Sequence, residues 1–201
     1  MLPSLAILIA YLLGGVPFGY LLVKWSTGSD VRASGSGNIG ATNVFRTSGR
    51  GIGVVTLLLD AFKGWMAVFV AARLTGGNTL WMSAAAVAVL LGHIFPVFLG
   101  FKGGKGVASF LGAFAYLAPL ALIAVLIIFV VAVQTTGFIS LGSILAATCF
   151  PLAVWIIARP EWPVFVASLI AAALIIWRHK ANIARLRDGT EHRFSFRRSR
   201  G

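Results

Sequence analysis

Long apolar stretches alternate along this chain with short stretches that carry nearly all of its charge. The apolar stretches cover residues 1–23, 51–72, 79–101, 106–158 and 162–177, and only 51–72 is interrupted, by Asp60 and Lys63. A helix needs about 20 apolar residues to cross the hydrocarbon core of a bilayer. The stretch 1–23 lacks the basic N-terminal region of a signal peptide, and no small-residue cleavage motif follows it. We therefore expect a retained helix rather than a signal peptide. The pattern predicts an all-α integral membrane protein.

The charged stretches between the apolar ones set the predicted orientation. Basic residues dominate 24–50, 100–106 and 178–201, whereas the other connections carry little net charge. Because cytoplasmic loops carry an excess of Lys and Arg, these three basic stretches are predicted to be cytoplasmic. The N-terminus is then predicted to lie outside and the C-terminus in the cytoplasm.

The orientation also sets the number of helices in the longest apolar stretch. Chain that leaves the cytoplasmic side at Lys105 and returns at Arg178 crosses the membrane an even number of times. Residues 162–177 supply one crossing, so 106–158 supplies an odd number. Three crossings fit its length and its break signals, which are Ala118-Pro119 and Gln134-Thr135-Thr136-Gly137. We therefore predict about seven transmembrane helices, two of them short. A five-helix arrangement with one long re-entrant piece is the alternative.

Composition supports a membrane protein and narrows its ligands. Of 201 residues, 59% are hydrophobic and 11% are charged, whereas soluble domains carry about 25% charged residues, so a water-soluble fold is excluded. Seventeen Lys and Arg against five Asp and Glu give a formal net charge of +12, which favours anionic lipids or phosphates as ligands. The single Cys149 excludes a disulfide framework and a cysteine metal site. We predict one polytopic membrane domain, 1–201, with a basic C-terminal tail at 193–201.

The first basic stretch contains a glycine-rich segment, GSGNIGATNVFR, at 35–46. Residues 35–40 match G-x-G-x-x-G, but that dinucleotide fingerprint requires a preceding strand and a parallel sheet, for which this chain has no room. Glycines nevertheless let backbone N–H groups surround an anion, and Ser, Thr and Asn add donors. A plain glycine-rich turn is the alternative. The candidate phosphate-binding residues are Gly35, Ser36, Gly37, Asn38, Gly40, Thr42, Asn43 and Arg46.

The second basic stretch ends in Gly-Gly-Lys-Gly just before a predicted helix. It is not a Walker A loop, because Leu99 and Gly106 stand where that motif needs Gly and Ser or Thr. Free N–H groups and the positive end of a helix still suit a phosphate, and Lys105 adds charge. A basic turn at the membrane edge is the alternative, and His93 is predicted to be a hydrogen-bonded structural residue. The candidate substrate-binding residues are Lys102, Gly103, Gly104, Lys105 and Gly106.

The third basic stretch mixes basic and uncharged polar residues where a helix leaves the membrane. In a continuous helix, His179 and Asn182 lie three positions apart and share a face. A lipid-bound basic tail is the alternative, and it is our interpretation of 193–200, but it gives Asn182 no role. Asp60 and Lys63 are also three apart, and because ionisable groups inside a membrane are costly, they are predicted to pair.

Together the three basic stretches predict one interfacial site for phosphate-bearing ligands. The strings GSGNIGATNVFR, GHIFPVFLGFKGGKGVA and RHKANIARLRDGTE resemble, in order, spacing and sidedness, the cytoplasmic motifs of the bacterial acyl-phosphate:glycerol-3-phosphate acyltransferase family. The resemblance implies a multi-pass enzyme of the bacterial cytoplasmic (inner) membrane whose active site faces the cytoplasm. Such an enzyme transfers a fatty acyl group from acyl phosphate to the 1-hydroxyl of glycerol 3-phosphate, giving lysophosphatidic acid and inorganic phosphate.

The resemblance also implies roles for individual residues. Glycines 103, 104 and 106 are expected to bind phosphate, and Glu191 is expected to be structural. From their spacing rather than from the resemblance, Asp60 and Lys63 are also expected to be structural, by pairing or, alternatively, by locking their helix against the cytoplasmic loops. The expected partners are acyl phosphate, glycerol 3-phosphate and membrane lipids, with no nucleic acid, no metal and no cofactor. Docking of the soluble enzyme that makes acyl phosphate is left open. The expected catalytic residues are Ser36, Arg46, Lys105, His179 and Asn182.

The sequence offers no obvious general base for the glycerol hydroxyl. None of the three histidines is followed five positions later by Asp, so the His-Asp dyad of many glycerolipid acyltransferases is absent. We hypothesise that a phosphate oxygen of the acyl donor takes the proton while protein groups position the reactants. His179 as general base and an acyl-Ser36 intermediate are the competing mechanisms. A transporter for organic phosphates, whose site would lie near mid-membrane, and a membrane scaffold are the competing functions.

Overall fold

The computed structural model describes residues 1–194, so the predicted tail at 193–201 lies outside the described residues except for Arg193 and Phe194. Within residues 1–194 the chain forms α-helices and no β-strand. The helices are α1 (Leu2–Gly15), α2 (Phe18–Thr27), α3 (Ala41–Thr47), α4 (Arg50–Leu74), α5 (Thr79–Ile94), α6 (Val107–Leu117), α7 (Pro119–Thr136), α8 (Ile139–Ala153), α9 (Trp162–Arg178) and α10 (Lys180–Arg187). Short 3₁₀ turns at Val31–Ala33 and Val97–Leu99 and a π-helical turn at Val154–Ala158 complete the described chain.

Five segments of the described chain are long and apolar enough to cross a membrane, or six if the bent pair α9 and α10 counts as one span. The multi-pass, all-helical membrane protein that the sequence predicts is therefore confirmed. Helix α6 has 11 residues, a length of about 16 Å, which is shorter than the roughly 30 Å hydrocarbon core. The number of crossings and the sidedness of the termini remain predictions.

Two predicted spans are interrupted by proline. The first runs to Thr27, past the predicted end at residue 23, and is broken between α1 and α2 at Val16 and Pro17. The third was expected over 79–101, but α5 ends at Ile94 because Phe95 precedes Pro96, and a residue before proline is disfavoured in the helical region. The chain continues as the 3₁₀ turn Val97–Leu99, and Thr79–Leu99 as a whole remains long and apolar enough to cross a membrane.

The long apolar stretch at 106–158 contains three helices, α6, α7 and α8. The first break falls at Ala118, where Pro119 begins α7, since proline is tolerated at a helix start. The second falls at Gly137, whose φ of 76° lies in the left-handed region that glycine adopts without strain. Both breaks coincide with those read from the sequence.

Glycine allows the helices nearest the site to pack backbone against backbone. A Cβ atom at Gly112 would lie 1.7 Å from the carbonyl oxygen of Ala61, and one at Gly92 would lie 2.1 Å from that of Tyr11. These approaches fix α6 on α4 and α5 on α1, as is common where small residues line helix contacts in membranes. The bundle therefore gives the loops at its end a rigid base.

Asp60 and Lys63 form the ion pair that their spacing predicts. The Lys63 Nζ atom lies 2.8 Å from Asp60 Oδ1, and both side chains are 3% exposed. The same Nζ donates a hydrogen bond of 2.8 Å to the carbonyl oxygen of Val16, at the break between α1 and α2. The pair therefore lies inside the bundle and joins α4 to the broken first span.

Candidate active site

The three basic stretches meet at one end of the helix bundle. Lys105 Nζ donates a hydrogen bond of 2.5 Å to Asn182 Oδ1, which joins the second stretch to the third. Arg46 Nη2 donates to the carbonyl oxygen of His192 at 3.3 Å, which joins the first stretch to residues that follow α10. The three segments that are predicted to share one site are therefore in direct contact with one another.

The first loop (residues 34–47) is organised by one of its own side chains. Asn43 is 2% exposed, and its Oδ1 accepts a hydrogen bond of 2.8 Å from the Ser36 amide. Its Nδ2 donates to the carbonyl oxygens of Val31, Ser34 and Asn38. Asn43, which the sequence offered as a substrate contact, thus has its amide directed into the loop.

The glycines and the remaining polar residues of the first loop shape its turns. Gly35 and Gly37 have φ values of 59° and 67°, in the left-handed region. Asn38 Oδ1 accepts from the Gly40 amide at 2.8 Å, a local side-chain bond typical of turns. Thr42 lies in the first turn of α3 and is partly buried.

Ser36 and Arg46 present the chemistry of the first loop. Ser36 is exposed, and among residues 1–194 its contacts do not join it to Lys105, His179 or Asn182. The pKa of Arg46, in α3, is lowered, chiefly by partial burial; Glu191 of the third stretch opposes this shift and Arg185 adds to it. The first loop therefore delivers a cation to the shared site.

The second loop (residues 100–106) differs from the sequence-based picture in where its amides point. The Gly103 amide donates to the carbonyl oxygen of Ile94, and the Gly104 amide donates to that of His93, both at 3.1 Å. Arg178 donates to the carbonyl oxygens of Gly104 and Gly103 at 3.1 and 3.0 Å. Both peptide groups are thus engaged by the protein, so the expected cradle of Gly103 and Gly104 N–H groups is not what these glycines form.

The amides of the second loop that the backbone does not engage come after its two paired glycines. Among the described residues, the Lys105 and Gly106 amides have no backbone acceptor. Gly106, with a φ of 83°, precedes the first residue of α6, whose first amides lack intrahelical partners. Lys102 is exposed, whereas Lys105 is half-buried. A phosphate at this point would meet Lys105 and the positive end of α6.

The third stretch bends at His179 rather than continuing as one helix. Helix α9 ends at Arg178, α10 begins at Lys180, and the two make an angle of 56°. His179 Nδ1 lies 2.8 Å from the Ile175 carbonyl oxygen. That oxygen only accepts hydrogen bonds, so Nδ1 carries a proton, and in a neutral ring Nε2 is then the acceptor. Despite the bend, His179 and Asn182 are both buried.

Glu191 completes a network that begins at Lys105. Its Oε1 accepts from Asn182 Nδ2 at 2.7 Å and from Ser140 Oγ at 2.9 Å, and Oε2 accepts from Arg185 Nε at 2.7 Å. Burial opposes ionisation of Glu191, but these hydrogen bonds and the charge of Arg185 outweigh it and hold its pKa below the usual value. Ser140 lies outside all three motif strings and is found only through this network, whereas Arg185 lies within the third string, RHKANIARLRDGTE.

The charge state of Lys105 reflects its surroundings. Burial lowers its pKa to about 8, Glu191 opposes this shift, and the cations at Arg185, Arg46 and Arg178 add to it. Lys105 is therefore mainly protonated at neutral pH but loses its charge in mildly alkaline solution. Three arginines that repel it at a distance imply a site whose positive charge is not balanced by the protein alone.

Residues 192–194 connect the first loop to the turn between α7 and α8. The Phe194 amide donates to the Gly137 carbonyl oxygen at 2.7 Å, and the rings of Phe194 and Phe45 lie 5.1 Å apart. The Arg193 guanidinium lies over the ring of Phe138 at 5.6 Å.

In residues 1–194 no group of three or more His, Cys, Asp or Glu side chains is placed to hold a metal ion.

This fold and site define a class: an all-helical, multi-pass membrane protein with a basic polar site at one end of its bundle. Residues 4–189 match the family model described as glycerol-3-phosphate acyltransferase. Relatives with that name from Geobacter sulfurreducens and Geobacter metallireducens are 49% and 51% identical, covering 92% of this chain and 94% of each relative.

Solved structures agree with the sequence comparison. The crystal structure of PlsY (YgiH), an integral membrane glycerol 3-phosphate acyltransferase, in its glycerol 3-phosphate form has a TM-score of 0.90 to this chain. The two are 37% identical, and the match covers 96% of each chain. The lysophosphatidic acid form of the same protein has a TM-score of 0.88 at 36% identity and covers 96% of this chain and 95% of that one. The chain belongs to the glycerol-3-phosphate acyltransferase family.

Proposed function

We propose that this protein transfers a fatty acyl group from acyl phosphate to the 1-hydroxyl of glycerol 3-phosphate, releasing lysophosphatidic acid and inorganic phosphate. The observation that carries the proposal is the convergence of the three motif segments in a member of this family, with Lys105 bound directly to Asn182. The similar PlsY structures are in glycerol 3-phosphate and lysophosphatidic acid forms, which are the acceptor and the product of such a transfer.

The cations of the site suit two phosphate-bearing reactants. Arg46 and Lys105 come from different stretches, and the charge of Arg46 lowers the pKa of Lys105, so the two repel each other. A phosphate dianion at either one relieves that repulsion and gains charge-assisted hydrogen bonds. We assign one reactant to Lys105 and the start of α6, and the other to Arg46.

Acyl phosphate supplies its own proton acceptor in the proposed mechanism. The 1-hydroxyl oxygen attacks the acyl carbonyl carbon, and a phosphate oxygen of the donor takes the hydroxyl proton. The bond between the carbonyl carbon and the bridging oxygen then breaks, and hydrogen phosphate leaves with the bonding pair. Lys105 and Arg46 stabilise the negative charge that develops on the carbonyl oxygen and the phosphate, a preorganised electrostatic contribution.

His179 and Asn182 position the reactants in this scheme. The acceptor face of His179, Nε2, suits a hydrogen bond from the glycerol hydroxyl, and the Asn182 amide fixes the Lys105 ammonium. If His179 only positions, the His179→Gln enzyme keeps most of its turnover. Loss of turnover with a shifted pH profile and recovery at higher pH would instead identify His179 as the general base.

Ser36 is assigned a positioning role rather than a nucleophilic one. Its backbone is fixed by Asn43, but within residues 1–194 no His, Asp or Glu contacts its hydroxyl to activate it. An acyl group trapped on Ser36 during turnover would overturn this assignment.

The membrane setting of the proposal follows the distribution of charge. We propose that the site faces the cytoplasm of a bacterium, that the protein lies in the inner membrane with its N-terminus outside, and that seven helices cross. Both soluble reactant and phosphate product then exchange with the cytoplasm, while the acyl chain stays in lipid. Docking of the soluble enzyme that makes acyl phosphate would take place on this same basic face.

Phosphate release tests the function directly. Purified protein in lipid is given acyl phosphate and glycerol 3-phosphate, together or singly, beside a Lys105→Ala variant. We expect release only with both substrates, equal formation of lysophosphatidic acid, and loss in the variant. Folded wild-type protein that releases no phosphate, or that moves organic phosphate across sealed vesicles without consuming acyl phosphate, would reject the proposal.

A further inference from the structure

A buried histidine lies directly beneath the second loop. A Cβ atom added at Gly104 would lie 2.1 Å from His93 Nε2, and 3.0 and 3.1 Å from the neighbouring ring atoms Cδ2 and Cε1. The carbonyl oxygen of the same His93 accepts the Gly104 amide. His93 therefore contacts Gly104 through both its backbone and its imidazole.

The imidazole is itself held from below. His93 is 4% exposed, its Nδ1 lies 3.3 Å from Ser109 Oγ, and the same nitrogen lies 3.8 Å from Asp60 Oδ1. Asp60 is paired with Lys63. Helices α4, α5 and α6 each contribute at least one side chain to this polar cluster, so the ring cannot shift without moving residues on three helices.

The cluster is a costly way to fill this space. Burying charged groups costs free energy that their pairing only partly returns, and apolar residues of similar volume often serve stability equally well. A polar cluster inside a membrane bundle is therefore a candidate for a functional role. The hydrogen bond to Ser109 fixes the ring's orientation, which an apolar side chain would leave to packing alone.

The second loop is thus fixed from two sides. His93 contacts Gly104 from inside the bundle, while the Arg178 guanidinium donates hydrogen bonds to the carbonyl oxygens of Gly103 and Gly104. Because the peptide groups of Gly103 and Gly104 are both hydrogen-bonded, the position of the His93 imidazole sets the direction in which the next residue, Lys105, leaves the loop. A displacement of about 1 Å at such a point is enough to cost a large factor in rate.

We propose that His93 is a positioning residue that sets the direction of Lys105 and the first amides of α6 toward a substrate phosphate. His93 acts through Gly104 and does not touch substrate. This inference rests on the proposed function for its kinetic test, and a binding test separates the two.

The kinetic test compares His93→Leu, which keeps bulk but no polar atom, with His93→Gln, which keeps a polar end. We expect His93→Leu to raise the KM for one phosphate-bearing substrate at least tenfold, with less than a twofold change for the other. His93→Gln should recover most of that loss. Ser83→Ala is the matched control, because Ser83 is buried on the same helix about 15 Å away, and among the described residues its hydroxyl has no partner.

The binding test uses inorganic phosphate and needs no acyl transfer. Lys105 is modified with an amine-reactive reagent, and protection by phosphate is followed by mass spectrometry of the peptide that contains it. We expect the phosphate concentration for half-protection to rise at least tenfold in His93→Leu and to stay near the wild-type value in Ser83→Ala. If His93→Leu does not fold, the comparison is made between His93→Gln and His93→Asn, the shorter side chain giving the larger shift.

Three results would overturn the inference. The first is unchanged half-protection in a folded His93→Leu protein. The second is an equal loss toward both substrates that follows only the fall in melting temperature. The third is a Ser83→Ala protein as impaired as His93→Leu. A wild-type protein whose Lys105 is protected by phosphate, but which transfers no acyl group, would reject the proposed function and leave the role of His93 to the binding test.

Discussion

The two glycine-bearing loops of the site are held in opposite ways. The first loop is held from within, because the side chain of Asn43 bonds one backbone amide and three backbone carbonyl groups, all within twelve positions of it in the sequence. The second loop is held from outside, by His93 on α5 and by Arg178, which lies more than 70 residues away. The first can form as a local unit, whereas the second takes its shape only when the bundle has packed.

Glycine serves a different purpose in each loop. Gly35 and Gly37 supply positive φ angles, so their value is conformational. Gly103 and Gly104 have no positive φ, but a Cβ atom at either would lie 2.1 Å from an atom of His93, so their value is the space they leave. The same residue type therefore predicts backbone freedom in one loop and close packing in the other.

The largest effect is expected where a side chain would enter that space. Gly104→Ala forces the loop away from His93, and we expect kcat/KM to fall by more than about 10²-fold, since reactant position is lost. The measurement is steady-state transfer in lipid. Gly51→Ala is the control, because nothing lies within 4 Å of a Cβ atom there. Near-wild-type kinetics for Gly104→Ala would mean that the second loop tolerates movement.

Removal of Asn43 tests the locally held loop. Asn43→Ala leaves one amide and three carbonyl groups without their partner, and we expect a loss of about 2 kcal/mol in unfolding free energy together with weaker activity. Asn38→Ala removes one turn bond, to Gly40, and should cost about 1 kcal/mol. Thermal unfolding in detergent measures both. A larger loss in Asn38→Ala would contradict the central role of Asn43.

The charge of Lys105 predicts an alkaline limit on activity. Its pKa is lowered to about 8, so its charge is present below that pH and is lost as pH rises through it. We expect kcat/KM to be level below about pH 7 and to fall roughly tenfold between about pH 7 and pH 9. The Lys105→Arg enzyme, whose guanidinium stays charged, should lack this fall. An identical pH profile in both enzymes would assign the limit to another group.

The smallest effect is expected on the outer side of the second loop. Arg178→Lys replaces a planar guanidinium, which bonds the carbonyl oxygens of both Gly103 and Gly104, with a single ammonium group. We expect Arg178→Lys to raise a substrate KM by about threefold, well below the effect of Gly104→Ala. Arg187→Lys, on the exposed face of α10, is the control. Equal losses at positions 178 and 104 would mean that the outer contact, not His93, fixes the loop.

Much of the fold follows from properties that are local in sequence. Apolar length predicts the membrane helices, and Pro119 and Gly137 mark the breaks in 106–158 because proline and glycine act on their own backbone. The Asp60–Lys63 pair follows from helical spacing alone. The end of α5 at Ile94 also has a local cause, Pro96, but the absence of charge through residue 101 led to the prediction of a longer helix.

The site is less predictable because its contacts join distant parts of the chain. Composition places Lys105 and Asn182 in basic stretches, but their hydrogen bond depends on how α6 packs beside the bend at His179. The engagement of the Gly103 and Gly104 amides depends on the path of residues 93–96. The residues around Ser140 give no sequence signal that its hydroxyl donates a hydrogen bond to Glu191, 51 positions later in the chain.

The contact between Arg46 and residue 192 sets an order of events during synthesis. The two are separated by 146 positions, so the first loop emerges from the ribosome long before the segment that ties it to the turn between α7 and α8. Until that segment is made, Lys105 and Asn182 also lack Glu191 behind them. The contact of Arg46 with residue 192, and with it the link between the first loop and the turn between α7 and α8, therefore forms only after α10 has been made.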